Sequence, residues 1–324
     1  MDLVADLPDD VVRDCLVRVS YDQFPTIASV CKAWMLQVQL PEFHRLRRAA
    51  GHAQKLLVMA QSTARPDRNL GLAKGSVHPV HRLTLHEPDT GDWRELPLPP
   101  AMSDGLPMFC RLAGVGSFLV VMGGWDPVTW KIVIVGSFFV AGGHDEEKTA
   151  LRSAMAYDVA KDEWVVLPDM ERERDECKAI FHAGKLHVIG GYCTDMQGRF
   201  ERSAEAFDVG AWQWDQVEED YLESGTCPRT CVDVDDGAVY MCGGSDVVAS
   251  RKDGKWQAVA KLPAEVCNTV YTATWGSKML LMGSAGFGQS YVAYMLDLRS
   301  KTWTKLETPW KYSGHVQSGC YLEI

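Results

Sequence analysis

The sequence predicts a small all-α domain at the N-terminus followed by an all-β propeller. Three observations predict this fold class. Apolar residues recur at helical spacing over about the first 50 positions, and this period then disappears. Short β-like runs follow, several of which end in a glycine pair, and tryptophans alternate with these pairs. We therefore divide the chain into a helical domain (1–50), a linker (51–80) and a propeller (81–324).

The helical domain carries two amphipathic patterns. The first runs from Asp9 to Val19 and has aspartates in its first turn, where carboxylates complement the helix dipole. The second runs from Phe24 to Val38 and is closed by Pro41. Two or three short helices bury little apolar surface by themselves. We therefore expect their apolar faces to pack against a partner.

The remainder of the chain is a repeat of short strands. In three units an aspartate stands six residues before the tryptophan, and the full period is about 40 to 53 residues. Four short strands per unit at this period are typical of a propeller blade. Glycine suits a strand end that turns tightly, and tryptophan supplies apolar area between blades. The residues of the pattern are Gly123, Gly124, Gly142, Gly143, Gly190, Gly191, Gly243, Gly244, Trp93, Trp164, Trp214, Trp256 and Trp303.

Both ends of the propeller region have strand character. Lys55–Ala60 is predicted to close the ring by pairing with the C-terminal run Gly319–Ile324. The polar stretch Ser62–Pro79, rich in Gly, Pro and Arg, is predicted to be an exposed loop.

Composition excludes several classes of partner. The 33 Lys and Arg against 43 Asp and Glu give a net charge of −10, so a nucleic-acid partner is not expected. The longest apolar run, Ile132–Gly143, is too short to span a membrane, and no secretory signal begins the sequence. The ten cysteines are scattered without a C-x-x-C pair, which predicts buried free thiols and no zinc site. We expect a protein of the cytoplasm and/or nucleus without a cofactor.

Two groups of motifs resemble known modules. The Leu-Pro-x-Asp start and Val30-Cys31-Lys32-x-Trp34 resemble an F-box, and the glycine pairs with their tryptophans resemble kelch repeats. Together they cover nearly the whole chain, which is similar to plant kelch-repeat F-box proteins, the substrate receptors of SCF-type ubiquitin ligases. The stretches 20–31 and 167–178 are similar to the subgroup that binds phenylalanine ammonia-lyase and the type-B response regulators of cytokinin signalling.

This resemblance implies a six-bladed ring, from which the sequence departs. Only 18 positions separate Gly124 from Gly142, about 30 fewer than the other units predict, and five tryptophan-bearing units are evident. We expect a truncated second blade with unpaired strand edges, as in a product of alternative splicing or gene misprediction.

The resemblance also implies two binding surfaces and no catalysis. Residues 1–50 would dock a Skp-type adaptor and through it a cullin, and the propeller would hold the protein to be ubiquitinated. The expected adaptor contacts are Leu7, Pro8, Val11, Leu16, Val19, Ile27, Val30, Cys31 and Trp34, with Asp9 and Asp10 as a polar rim. The candidate substrate contacts are Arg172, Arg174, Asp175, Glu176, Arg199, Phe200, Glu201 and Arg202, which a solvated loop would equally explain.

Three other interpretations stay open. The helices could simply pack on the propeller, leaving a kelch scaffold without a role in ubiquitin transfer, or the truncated ring could be non-functional. An enzyme on a propeller, such as a copper-radical oxidase or a sialidase, would need converging ligands or acids. His144, His182, His187 and His315 stand apart in the sequence, and no nucleophile, phosphate-loop or zinc-protease motif occurs.

Overall fold

A computed structural model describes residues 4, 7–63, 79–98, 102–115, 118–125, 132–135, 139–158, 163–243, 247–286 and 289–324. The helices are α1 (Asp9–Val17), α2 (Phe24–Val30), α3 (Lys32–Gln39) and α4 (Pro41–Ala49). The strands are β1 (Lys55–Ser62), β2 (His81–Glu87), β3 (Asp92–Leu96), β4 (Arg111–Val115), β5 (Phe118–Trp125), β6 (Ile132–Val135), β7 (Phe139–Ala141), β8 (Ala154–Asp158), β9 (Glu163–Val166), β10 (Lys178–His182), β11 (Lys185–Ile189), β12 (Ala204–Asp208), β13 (Gln213–Trp214), β14 (Val232–Val234), β15 (Ala238–Gly243), β16 (Val247–Lys252), β17 (Lys255–Lys261), β18 (Asn268–Trp275), β19 (Lys278–Ser284), β20 (Val292–Asp297), β21 (Thr302–Leu306) and β22 (Val316–Glu323). Within these ranges no helix is both long and apolar enough to cross a membrane.

The second predicted helix is in fact two helices. Cys31 is extended, with φ −162° and ψ 164°, and its Sγ accepts a hydrogen bond from the Trp34 amide at 3.5 Å, which caps α3. Pro41 opens α4 as well as ending α3, because a first-turn proline lacks only an N–H that would be unsatisfied anyway. Helix α4 contributes the fully buried Phe43 to the core of the helical domain.

The β region consists of six antiparallel sheets in the described residues. Four of them have four strands, in the orders β22-β1-β2-β3, β10-β11-β12-β13, β14-β15-β16-β17 and β18-β19-β20-β21. Two have three strands, β4-β5-β6 and β7-β8-β9. The innermost strands of successive four-stranded sheets contact one another, so the sheets surround a common axis as propeller blades do.

The predicted truncation coincides with the two three-stranded sheets. Five sheets end in an outer strand that bears a repeat tryptophan, whereas the β4-β5-β6 sheet has none in the described residues. In the β7-β8-β9 sheet, β7 runs into the glycine pair at Gly142, as the second strand β11 of the next blade runs into Gly190. Within the described residues this sheet therefore has no counterpart of the inner strand β10. Six complete blades are therefore not confirmed.

The predicted closure of the ring is confirmed. Strand β1 pairs antiparallel with β22, and Val58 lies opposite Cys320. The segment 51–80, predicted as a linker with a possible ring-closing strand, thus contains the ring strand β1 from Lys55 to Ser62. Most of the predicted loop Ser62–Pro79 lies outside the described residues.

Strand β1 is buried on both faces, because alternate residues point to different neighbours. Leu56 and Val58 join a core cluster with residues of the β4-β5-β6 sheet. Leu57 and Met59 join a second cluster with residues of the β18–β21 blade. A single strand thus holds three sheets together.

Three of the repeat tryptophans tie their blade to the preceding one. The indole Nε1 of each donates to a backbone carbonyl in the preceding outer strand or in the segment that follows it, and the ring supplies apolar area between blades. The three pairs are Trp214 to Pro168 at 2.7 Å, Trp256 to Tyr221 at 2.6 Å and Trp303 to Lys261 at 2.8 Å.

The fixed offset between aspartate and tryptophan marks the outer hairpin turn. Asp208 Oδ1 accepts from the Gly210 and Ala211 amides, both at 2.9 Å. Asp297 Oδ1 accepts from the Arg299 and Ser300 amides at the same distance. The carboxylate closes the turn, and the tryptophan then falls on the returning strand.

The cysteines follow the prediction only in part. All ten are free, and Cys110 and Cys231 are buried. Cys15, Cys31 and Cys267 are exposed, so the prediction of buried thiols is wrong for these three.

Substituting Gly319 tests the importance of ring closure. A Cβ there would lie 2.6 Å from Tyr271 Oη and 2.8 Å from the Val58 carbonyl oxygen. We expect Gly319→Ala to lower the free energy of unfolding by about 1–3 kcal/mol, as overpacking does, in chemical denaturation. Gly286→Ala, where a Cβ meets nothing within 4 Å, is the matched control. Equal stability of both variants would contradict a tightly packed closure.

Candidate functional site

Arg47 fixes the helical domain to the closed ring. Its side chain is fully buried, and it donates to the Val17 carbonyl at 2.6 Å, to His52 at 3.0 Å and to the C-terminal strand end at Ile324 at 3.4 Å. Its guanidinium also lies over the Phe24 ring, 5.0 Å from the centroid. Burial lowers the pKa of Arg47. These contacts join two helices and the last strand through one side chain.

Gln54 makes a second connection between the same parts. Its backbone exchanges hydrogen bonds with Ile324 at 2.7 and 3.0 Å, which extends the β1–β22 pairing. Its side-chain Oε1 accepts from the Tyr21 amide at 2.8 Å, and its Nε2 donates to Glu87 Oε1 at 3.0 Å. Glu87 in turn pairs with Arg94 at 3.1 Å. The helical domain is thus seated on the closing blade by polar contacts as well as by its chain connection.

Strand direction puts the helical domain on one face of the ring. Successive strands of a blade run antiparallel, so the turns between first and second strands and between third and fourth strands share a face. Gln54, Ile324 and the β2–β3 turn all lie on that face. The loops between second and third strands, and the segments that enter each blade, open on the opposite face. We call these the helical-domain face and the open face.

The helical domain exposes more apolar surface than its size requires. Six large apolar side chains of its described residues are exposed, and they come from all four helices and the adjoining turns. These exposed apolar side chains are available to contact a partner. The residues are Leu7, Val11, Val30, Leu36, Leu40 and Leu46.

The predicted adaptor contacts divide into exposed and buried groups. Leu7, Pro8, Asp10, Val11, Val30 and Cys31 are exposed, and Asp9, Val19 and Trp34 are half-buried. Leu16 and Ile27, however, are only 3% and 6% exposed and pack in the domain's own core. We correct their assignment, because both support the surface instead of forming it. Leu36, Leu40 and Leu46 are also exposed and lie outside the predicted stripe.

Arg174 is likewise a core residue. It is fully buried, and its Nε pairs with Glu205 Oε1 at 3.0 Å, itself almost inaccessible. The guanidinium also donates to the Gly190 carbonyl at 2.7 Å and to Ser203 Oγ at 2.9 Å. Every one of these partners belongs to the β10–β13 blade. The prediction that Arg174 contacts a substrate is therefore wrong, because no face of it reaches solvent.

The glycine pairs explain how this charged segment is held. Gly142 and Gly191 have positive φ values of 70° and 85°. A Cβ on Gly142 would lie 2.2 Å from the Arg174 carbonyl oxygen, and one on Gly191 would lie 2.7 Å from that of Asp175. Only glycine permits both the backbone conformation and the approach. Gly143 and Gly190 also have positive φ, Gly123 and Gly124 lie in β5, Gly243 ends β15, and Gly244 is outside the described residues.

Arg172 lines an open cleft of about 430 Å³ on the open face. It pairs with Glu201 at 3.0 Å and with Glu219 at 2.5 Å. Burial opposes ionisation of Glu201, but hydrogen bonds from Ser203 and Arg172 outweigh it and lower the pKa of Glu201. The other lining residues are Arg152, Glu171, Glu173 and Cys193.

The remaining candidate substrate contacts are mostly accessible. Glu176, Arg199 and Arg202 are exposed, and Phe200 is half-buried against Tyr192. Arg202 makes an ion pair with Asp220. Asp175 is largely buried and accepts from His144 Nδ1 at 3.1 Å, so it belongs to the support of the loop.

The arrangement defines a two-ended protein with an apolar helical surface at one end and a propeller face at the other. The F-box domain profile matches residues 4–46, and the Kelch motif matches residues 132–171.

Relatives in Arabidopsis thaliana extend these matches over the whole chain. F-box/kelch-repeat protein At1g80440 is 45% identical and At1g15670 is 46% identical, and each alignment covers 100% of both proteins. F-box/kelch-repeat protein SKIP20 is 27% identical over 70% of this chain and 69% of its own length. The chain belongs to the F-box/kelch-repeat family. The first two alignments span 363 and 360 positions against the 324 residues of this chain, so this chain lacks residues that its relatives have.

Replacing Arg174 separates a structural role from a binding role. We expect Arg174→Met to lower the free energy of unfolding by about 3–5 kcal/mol, because it leaves the buried Glu205 carboxylate unpaired. Arg172→Met, at a partly exposed ion pair, should cost only about 0–1 kcal/mol. Thermal and chemical denaturation measure both changes. A stable Arg174→Met protein would contradict the structural assignment.

Proposed function

We propose that the protein is the substrate-recognition subunit of an SCF-type ubiquitin ligase. One observation carries this proposal: a helical F-box with exposed apolar residues is locked to one face of a kelch propeller whose opposite face stays open. The F-box would dock a Skp-type adaptor and through it a cullin, and the propeller would bind the protein to be ubiquitinated and degraded.

The subunit itself performs no chemistry in this proposal. It holds lysines of the bound protein near the ubiquitin-charged conjugating enzyme and so raises their effective concentration. The seat formed by Arg47 and Gln54 supports this role, because a fixed angle between the two ends keeps the bound protein in a constant position.

Phenylalanine ammonia-lyase or a type-B response regulator is the proposed client, with a role in phenylpropanoid metabolism or in negative regulation of cytokinin signalling. The resemblance of stretches 20–31 and 167–178 supports this choice. The second stretch, however, includes the buried Arg174, so part of that resemblance reflects the packing of the blade. Among the predicted client contacts, Glu176, Arg199 and Arg202 are exposed and Arg172 is partly exposed, so these four remain candidates.

A second candidate is a truncated product that binds the adaptor without a client. The two three-stranded sheets and the longer alignments of the relatives support it. Unpaired strand edges next to the shortened segment would favour aggregation over binding.

Val11→Glu tests adaptor docking. Val11 is exposed in the first turn of α1, where a negative charge suits the helix dipole and folding is retained. Docking would bury the new carboxylate, so we expect adaptor affinity to fall by roughly tenfold or more in a binding titration. Val166→Glu, at an exposed position on the outer strand β9, is the matched control. Unchanged adaptor affinity of Val11→Glu would count against docking through this surface.

A capture experiment tests the client. The full chain and the Val11→Glu variant are each scored for the Skp-type adaptor, phenylalanine ammonia-lyase and type-B response regulators. We expect a client on both proteins and the adaptor only on the parent, because the two binding surfaces lie on opposite faces. If the parent captures the adaptor but no client, the result would favour the truncated product. If the parent captures no adaptor, the result would favour a kelch scaffold without a role in ubiquitin transfer.

A further inference from the structure

Three cationic side chains stand where inner strands begin on the open face. Arg111 is the first residue of β4, Lys178 is the first residue of β10, and Arg229 lies in the 3-10 turn just before β14. Inner strands of a propeller surround its axis, so these positions ring the mouth of the central channel. We call Arg111, Lys178 and Arg229 the cationic mouth.

Arg111 and Lys178 are close enough to influence each other, and Lys178 and Arg229 share Cys227 as a neighbour. Burial first, and the neighbouring Arg111 guanidinium second, lower the pKa of Lys178 to about 8. The charge of Lys178 also acts to lower the pKa of the nearby Cys231 thiol. Cys227 Sγ accepts a hydrogen bond from Arg229 Nε at 3.3 Å. The cluster is therefore one electrostatic site spread over three sheets.

The cationic mouth lacks the carboxylates that other cations of the chain have. Within the described residues none of its three members makes an ion pair, whereas Arg172, Arg174, Arg202 and Lys185 each do. The negative charge of Glu176 acts to raise the pKa of Arg229, although the two side chains make no ion pair. Grouped positive charge in a protein of net charge −10 repels itself unless an anion is bound.

An exposed aromatic side chain borders this site. Phe109, two residues before Arg111, is 72% exposed and has a positive φ of 63°. The backbone is held in this conformation because the Phe109 amide donates to Gln317 Oε1 at 3.0 Å, while Gln317 Nε2 donates to the Pro107 carbonyl at 3.0 Å. A rigidly presented aromatic next to arginine is typical of the anchor residues in protein interfaces.

We propose that the cationic mouth, with Phe109 at its edge, binds an acidic segment of the client protein. This inference rests on the proposed function, since it specifies the client segment that the propeller would hold. The cations come from three separate sheets, which suits several carboxylates along an extended chain. A single phosphate would instead favour converging donors.

Peptide binding to the full chain tests the proposal. Short fluorescent peptides of one design carry Glu, Gln, Lys or a single phosphoserine at the variable positions. We expect the Glu peptide to bind, the Gln and Lys peptides to bind much more weakly, and added salt to weaken the Glu complex. Arg111→Glu/Arg229→Glu should reduce affinity for the Glu peptide by roughly tenfold or more.

Arg299→Glu is the matched control, because Arg299 is exposed in an outer turn on the helical-domain face. Equal affinity of the double variant and the parent, equal loss in Arg299→Glu, or a preference for the phosphoserine peptide over the Glu peptide would each overturn the proposal. Adaptor capture is measured on the same samples. A failure of the ubiquitin-ligase assignment would therefore appear as absent adaptor, whereas a failure of the cationic mouth would appear only in the peptide titration.

Discussion

The pairing of β1 with β22 is the constraint on which the rest of the structure depends. It joins the first and last strands of the ring, so every blade between them is held in a closed circle. Because β1 is buried on both faces, the same strand also packs against the sheet on either side. The ladder continues through Gln54 and Ile324, beyond the last paired residues of the two strands. Closure, blade packing and domain docking are therefore one cooperative unit.

The position of the helical domain follows from that closure. Arg47 reaches the carbonyl at the very end of the chain, which lies there only because β22 is paired. A buried guanidinium that donates to several backbone carbonyls holds those carbonyls in fixed positions, because the loss of any one contact would leave a buried charged donor without an acceptor. The F-box is thus oriented by the propeller, and the two ends of the molecule act as a rigid whole.

Sequence reasoning succeeded where the signal was local and periodic. The glycine pairs, the aspartate-to-tryptophan offset and the strand character of both ends each predicted the element that the structure contains. It failed where burial depends on distant residues. Nothing in the sequence near Arg174 shows that Glu205 will enclose it, and a charge cluster ordinarily lies in solvent. Val11 and Leu16 are five positions apart and lie on different sides of α1, and the packing of α1 against α4 buries Leu16 while Val11 stays exposed.

The shortened segment leaves the closing blade and the docked helical domain intact for a physical reason. In a ring of repeats each blade contacts only its neighbours, so the cost of missing strands stays local. The incomplete sheets are β4-β5-β6 and β7-β8-β9, whereas the closing blade and the blade that buries Arg174 have all four strands. Strands β4 and β5 still supply Leu112 and Val121 to the core of the closing blade. Beside the next sheet, Phe181 of β10 is exposed and stacks on Phe139 of β7 with ring centroids 6.5 Å apart. The two incomplete sheets therefore do not remove the strands that seat the F-box.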